Sequence, residues 1–235
     1  MLKKIVFMGT SVFAVKILKS LYQNGYPIAT VYTQAPKKSN RGMRVTKSPV
    51  HSISETLSLE VRTPVTLKNN QEEYEYLKDI DADMCLVIAY GQIIPESFLN
   101  LTKKGFINIH ASLLPKYRGA APIQRAIMNL EKKTGISIMK INSQLDEGPV
   151  CKSYEIDIDE KDSSDDLSEK LSDLAVEKIL DDIDDILDDK AKFKDQDHSK
   201  ATYAKKINKK ESSIDWNTPA KSVIAKINGL NGCLL

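Results

Sequence analysis

Residues 107 to 124 read INIHASLLPKYRGAAPIQ. An Asn and a His stand one residue apart where a short apolar run gives way to a turn. In an extended strand successive side chains point to opposite faces, so Asn108 and His110 share a face and can converge on one reacting centre. An amide N–H can donate to a developing oxyanion. An imidazole can donate to that oxyanion or move a proton. The pair needs an orienting acid, and QLDEG (144 to 148), just after the apolar run ISIMKI, offers Asp146. In this reading Asp146 leaves the next strand end along, beside His110, as acid–base work in acyl transfer would require.

The flanking sequence places the pair in a fold. KKIVFMG (3 to 9) and IATVYT (28 to 33) are β-rich runs separated by an amphipathic stretch with Val12, Val15, Leu18 and Leu21 on one side. NQEEYEYLKDI predicts a helix, and MCLVIAY (84 to 90) is continuously apolar, as in a parallel strand covered on both faces. GFINIH, a helix near AAPIQRAIMNL and the strand ISIMKI complete the alternation. Strands alternating with helices predict an α/β fold with a doubly wound, mostly parallel, Rossmann-like sheet. Ligands of such sheets bind outside the carboxyl ends of the strands, where Asn108 and His110 fall. Gly9-Thr10-Ser11-Val12-Phe13-Ala14 carries one of the three glycines of a dinucleotide fingerprint, which argues against a nicotinamide or flavin site. No phosphate-binding GK[ST] loop is present either.

Charge is segregated along the 235 residues although the net charge is only +2. Residues 1 to 50 hold nine Lys or Arg and no acid, and residues 157 to 189 hold fifteen acids against three bases, a net of −12. Residues 190 to 235 return to +6. Two basic ends with a polyanionic partner, and an acidic helix face turned away from it, would account for this. The three cysteines, Cys85, Cys151 and Cys233, lack CxxC spacing and read as reduced thiols, and no cluster suggests a metal site. No secretory leader is recognisable, so a cytoplasmic protein is expected, and a monomer.

These residues resemble the folate-dependent formyltransferases, whose signature Asn-x-His-x-Ser-Leu-Leu-Pro is matched by Asn108, His110, Ser112, Leu113, Leu114 and Pro115, with Asp146 following. IVFMGTSVFAV, the basic stretch TQAPKKSNRGMRVTKSPV, GAAPIQRAI and TYAKKINKKESSIDW are similar to the branch of that family acting on methionyl initiator tRNA. The resemblance implies 10-formyltetrahydrofolate as co-substrate, no metal, and initiator methionyl-tRNA as partner. It implies Asn108, His110 and Asp146 as catalytic residues, and a folate crevice formed by Ala89, Tyr90, Gly91 and Ile93 with the SLLP turn of Ser112, Leu113, Leu114 and Pro115. Arg41 is expected to recognise the tRNA end, with Lys37, Lys38, Arg44 and Lys47 on phosphates.

The domain reading is 1 to 189 catalytic, 190 to 213 a basic linker, and 214 to 235 the start of a C-terminal OB-like barrel. Because only 19 residues follow Trp216, truncation of that barrel is expected, with Leu230, Leu234 and Leu235 exposed or disordered. A formyltransferase for another amine such as an amino sugar nucleotide, a hydrolase of formyl-folate, and a non-catalytic RNA-binding remnant stay open as alternatives.

Overall fold

A computed structural model describes residues 3–39 and 44–231. In chain order the elements are β1 (Ile5–Gly9), α1 (Val12–Gln23), β2 (Ile28–Tyr32), β3 (Lys37–Ser39), β4 (Arg44–Thr46), α2 (Pro49–Thr56), β5 (Val61–Arg62), α3 (Gln71–Ile80) and β6 (Met84–Ile88). Then follow β7 (Phe106–His110), α4 (Pro122–Met128), β8 (Lys133–Lys140), β9 (Val150–Asp157), α5 (Ser164–Leu187) and α6 (Ala220–Leu230). Seven strands form one sheet in the order β5-β2-β1-β6-β7-β8-β9, and β3 and β4 form a separate hairpin.

The continuous apolar runs are explained by burial on both faces. Along β1, Ile5 and Phe7 enter one core while Val6 and Met8 enter the other, and along β6 Met84, Leu86 and Ile88 alternate with Cys85 and Val87 in the same way. The first core is closed by α1 and by the acidic helix α5. That helix places Leu167, Leu171, Ala175, Ile179, Ile183 and Leu187 on its inner stripe, and Ser163 and Asp166 close its N-terminus with a capping box.

One expectation is corrected, the exposure of Leu230. The sheet is mostly parallel, as expected: it is parallel from β5 to β7, while β8 runs antiparallel to β7 and β9 antiparallel to β8. The acidic helix is tied to the basic N-terminal segment, where Lys3 pairs with Asp188 and Lys16 with Asp173 and Glu169. Burying the apolar stripe of α5 against α1 brings those charges together at its rim. Leu230 is 9% exposed, since α6 lies against α4 so closely that a Cβ on Gly229 would meet Met128 Cγ at 2.6 Å. Leu234 and Leu235 lie outside the described residues.

Residues 190 to 213 are laid across the sheet domain. Lys194 exchanges backbone hydrogen bonds with Val150, Ala204 donates to Arg118 O, and Arg125 forms a two-point pair with Glu211. Among the described residues no helix is long and apolar enough to cross a membrane.

Candidate active site

Ile107 and Ile109 turn into the core beneath α1 and α5, so Asn108 and His110 turn to the other face of β7. The Asn108 carboxamide is half-buried and forms no hydrogen bond with the described residues, which leaves its N–H groups available to a ligand. His110 is 6% exposed and donates from Nε2 to the carbonyl of Tyr117 at 2.9 Å. A carbonyl only accepts, so the Nε2 proton is pinned and Nδ1 is the nitrogen left for proton exchange. Nδ1 lies 3.8 Å from Asp146 Oδ2, an ion-pair separation just beyond hydrogen-bond reach.

Asp146 does not arrive from the neighbouring strand end. Since β8 is antiparallel, its carboxyl end lies beside the start of β7, where Ile141 N donates to Phe106 O at 2.8 Å. That is three to four residues, about 10 to 13 Å, from His110 along the strand. Residues 141 to 149 must therefore fold back over the sheet to reach the site. Asp146 does so in the left-handed backbone region with φ 51°, and Gly119 N donates to its Oδ2 at 2.7 Å. The same carboxylate oxygen faces His110, while Oδ1 accepts from none of the described residues.

The expected crevice residues divide. Ala89 (φ 45°), Gly91 (φ 77°) and Ile93 leave the carboxyl end of β6, whose Val87 is paired with Asn108, and all three are exposed. The Tyr90 ring is instead buried with Met8 and Phe98, and burial pushes its phenol well above the ordinary range. Only its carbonyl faces outward contacts, accepting from Thr10 Oγ1 at 2.7 Å and Gln34 Nε2 at 3.1 Å. Ser112 is also fully buried: its hydroxyl donates to Lys116 O at 2.6 Å and clips the turn shut. Leu113 packs on Gly135, where an added Cβ would be 2.7 Å from Leu113 Cδ2, and Leu113, Leu114 and Pro115 are half-buried.

The basic stretch forms a hairpin in which Lys37 faces Thr46, Lys38 faces Val45 and Ser39 faces Arg44 across the backbone ladder. Arg41 lies outside the described residues. Lys37 is exposed and donates to Gln34 Oε1, and Gln34 in turn donates to Gly91 O at 3.0 Å, tying the hairpin base to the β6 loop. Lys47 differs from the expectation of a free base. Its ammonium donates to both oxygens of Glu55 at 2.6 and 2.8 Å, and Lys47 holds the Glu55 carboxyl below the usual range. The acid comes from α2, outside the basic stretch itself.

Sequence reasoning missed the groups that hold the site together. Arg118 is 1% exposed, pairs with Glu147 at 3.0 Å and donates to Gln196 Oε1, and Gln196 reaches the Asp146 loop. Nothing in YRGAA or KDQDHS marks these side chains as buried partners, since they meet 78 residues apart.

Comparison with known proteins agrees with this architecture. Residues 3–183 match the Formyl transferase family. The chain is 61% identical over 230 residues to a methionyl-tRNA formyltransferase of Pelagibacter ubique, spanning 98% of this chain and 74% of that protein. It is 42% identical to the methionyl-tRNA formyltransferase of Sulfurihydrogenibium sp., over 97% of this chain and 73% of that one. An N-formyltransferase from Helicobacter canadensis, solved with folinic acid and dTDP-3-aminofucose, superposes with a TM-score of 0.73 at 20% identity, covering 97% of this chain and 80% of that one. With that family match over most of its length and that degree of identity to the relatives, the chain belongs to the methionyl-tRNA formyltransferase family of formyl transferases.

Proposed function

We propose that the chain transfers the formyl group of 10-formyltetrahydrofolate to the α-amine of methionine carried by initiator tRNA. The observation that carries this reading is the His110–Asp146 pair at a strand end, with the Asn108 amide, which has no hydrogen bond to the described residues, on the same strand face as His110, in a chain 61% identical to a methionyl-tRNA formyltransferase. The residues present fit a folate: an open amide lies beside a loop with an exposed apolar side chain, Ile93, and Leu145 is exposed next to Asp146. When bound, the folate supplies the formyl group that the amine attacks.

As negative charge develops on the formyl oxygen, the Asn108 N–H and a protonated His110 Nδ1 donate to it. One such donor contributes about 3 to 4 kcal/mol in comparable acyl-transfer sites. The Tyr117 carbonyl fixes the ring so that only Nδ1 faces the reaction. Asp146 uses Oδ2 to stabilise the imidazolium, and its Oδ1, which accepts from none of the described residues, takes the proton of the attacking amine through water and passes it to the folate nitrogen as the bond from the formyl carbon to that nitrogen breaks. Arg41, Lys37, Lys38 and Arg44 serve the tRNA, with Arg41 at its end and the others on phosphates; Lys47, already paired, contributes least.

The test is incubation of the full chain with 10-formyltetrahydrofolate and methionyl initiator tRNA, followed by product analysis. Formylmethionyl-tRNA is the expected product. Formylation of a dTDP-amino sugar with no formylmethionyl-tRNA overturns the reading in favour of an amino-sugar enzyme, and release of formate alone points to a hydrolase.

A further inference from the structure

Asp146 sits on an extended return loop in a left-handed backbone conformation that side chains other than glycine rarely adopt, so something must hold it there. The loop has little apolar anchorage near its tip, where Leu145 is 62% exposed. What it does have is a buried polar clamp. Gln196 Nε2 donates to Asp146 O at 2.9 Å and to Gly148 O at 2.7 Å. Gln196 Oε1 accepts from Arg118 Nε at 3.1 Å and Nη2 at 2.8 Å, so every donor and both lone pairs of this amide are used. Arg118 closes the circuit by pairing with Glu147, the residue after Asp146, at 3.0 Å, and the next residue of its own strip, Gly119, donates to Asp146 Oδ2. Gln196 is 8% and Arg118 1% exposed, so the bonds form with little competition from water.

We propose that Gln196 is a positioning residue for formyl transfer, holding Asp146 against His110 from a segment outside the strand-end motif. The inference rests on the proposed function for its kinetic consequence, but not for the clamp itself. Gln196 touches neither the reacting atoms nor His110. It acts through the backbone of the Asp146 loop, and its length matters because one planar amide must span from the Arg118 guanidinium to two carbonyls.

The Gln196→Glu variant separates the two halves of the clamp. Its carboxylate keeps, and by charge strengthens, the bonds from Arg118, but it places an oxygen opposite the carbonyls of residues 146 and 148, with no proton to give them. The Gln196→Leu variant removes both halves and serves as the second arm. For Gln196→Glu the expectation is a thermal midpoint near the parent's, a folate-analogue Kd within about threefold, and a kcat lower by about 30-fold or more. In an Asp146→Asn background the same change should add less than about threefold, because residues acting through one group are not additive. A kcat within threefold of the parent, or full additivity with Asp146→Asn, overturns the proposal.

A readout without turnover keeps the clamp testable by itself. Hydrogen exchange at the Gly119 amide, which donates to Asp146 Oδ2, should quicken by about tenfold or more in Gln196→Glu and Gln196→Leu while β1 and β6 amides stay protected. Unchanged Gly119 protection overturns the clamp. Faster exchange in the two variants, together with a parent chain that forms no formylmethionyl-tRNA, overturns the proposed function and leaves the clamp standing.

Discussion

The strand-end site and the basic hairpin are built on opposite terms. At the site, buried or half-buried hydrogen bonds fix His110 by the Tyr117 carbonyl, Asp146 by Gly119 and Gln196, and the SLLP turn by Ser112 and Ser137, while Asn108 is placed by the backbone ladder of β7. The pairing of β3 with β4 is a three-residue ladder with an exposed Val45, anchored at its base by Gln34. The difference follows from what each must do. Stabilising a developing charge depends on donors held to within about half an ångström before reaction, whereas a phosphate backbone is attracted over a Debye length of about 8 Å and tolerates imprecise placement.

Breaking the rigid side of this comparison should cost most. His110→Ala and Asn108→Ala are each expected to slow the chemical step by about 100-fold or more with folate binding nearly unchanged. Single-turnover formylation measures it, and near-parent rates for either variant would remove that residue from the chemistry. Gly148→Ala strikes the same loop through sterics. A Cβ there would lie 1.8 Å from Lys140 O, a backbone atom that cannot swing away, so stability should fall by about 1 to 3 kcal/mol in urea denaturation. A variant as stable as the parent would mean that the β8–β9 turn has room to shift.

The hairpin should yield smaller and salt-dependent effects. Arg41→Ala, and the combined Lys37→Ala and Arg44→Ala change, are each expected to raise the KM for tRNA by about 3-fold to 10-fold and to flatten its salt dependence, with folate affinity untouched. Lys47→Ala sharpens the contrast, because its charge is already spent on Glu55 and its effect on tRNA KM should stay within about twofold. A larger loss for Lys47 than for Lys37 would show that the Glu55 pair opens when tRNA binds.

The smallest effect is expected far from both regions. Asp182 is buried on α5, accepts from the Tyr154 hydroxyl at 2.9 Å and has no partner for Oδ2 among the described residues, and burial raises its carboxyl above the ordinary value. The folded state therefore binds this proton more tightly than the unfolded chain does. Ionised Asp182 is a cost at neutral pH, and the cost fades as pH falls through the raised folded value and is gone below the ordinary aspartate value of 3.8. Asp182→Asn should stabilise the protein at pH 7 by at most about 1 kcal/mol, with the gain vanishing by about pH 3. Thermal melts at the two pH values check it, and a loss of stability at pH 7 would mean that the Tyr154 bond needs the charge.

Much of this molecule was legible in one dimension. The period-two alternation that sends Ile107 and Ile109 inward leaves Asn108 and His110 together on the other face, and no tertiary information is needed for that. The apolar runs of β1 and β6 likewise announce a sheet covered on both faces. The direction of β8 was not legible, because an apolar run looks the same whether it pairs parallel or antiparallel with its neighbour. Nor was the edge strand β9, where the exposed Lys152 shares a pleat face with Tyr154 and Ile156 and interrupts the alternation against Glu155 and Asp157 on the other face.

Local sequence thus determined the pairing of an amide with an imidazole, since both lie on one strand and the pleat alone sets their geometry. Tertiary structure decided everything that joins distant segments: the loop that returns Asp146 to His110, the Glu55 that quiets Lys47, the burial of Tyr90 and Ser112, and the use of Gln196 as a clamp. Those contacts depend on strand direction and on which polar groups lose water together, and neither quantity is carried by the spacing of residues along a chain.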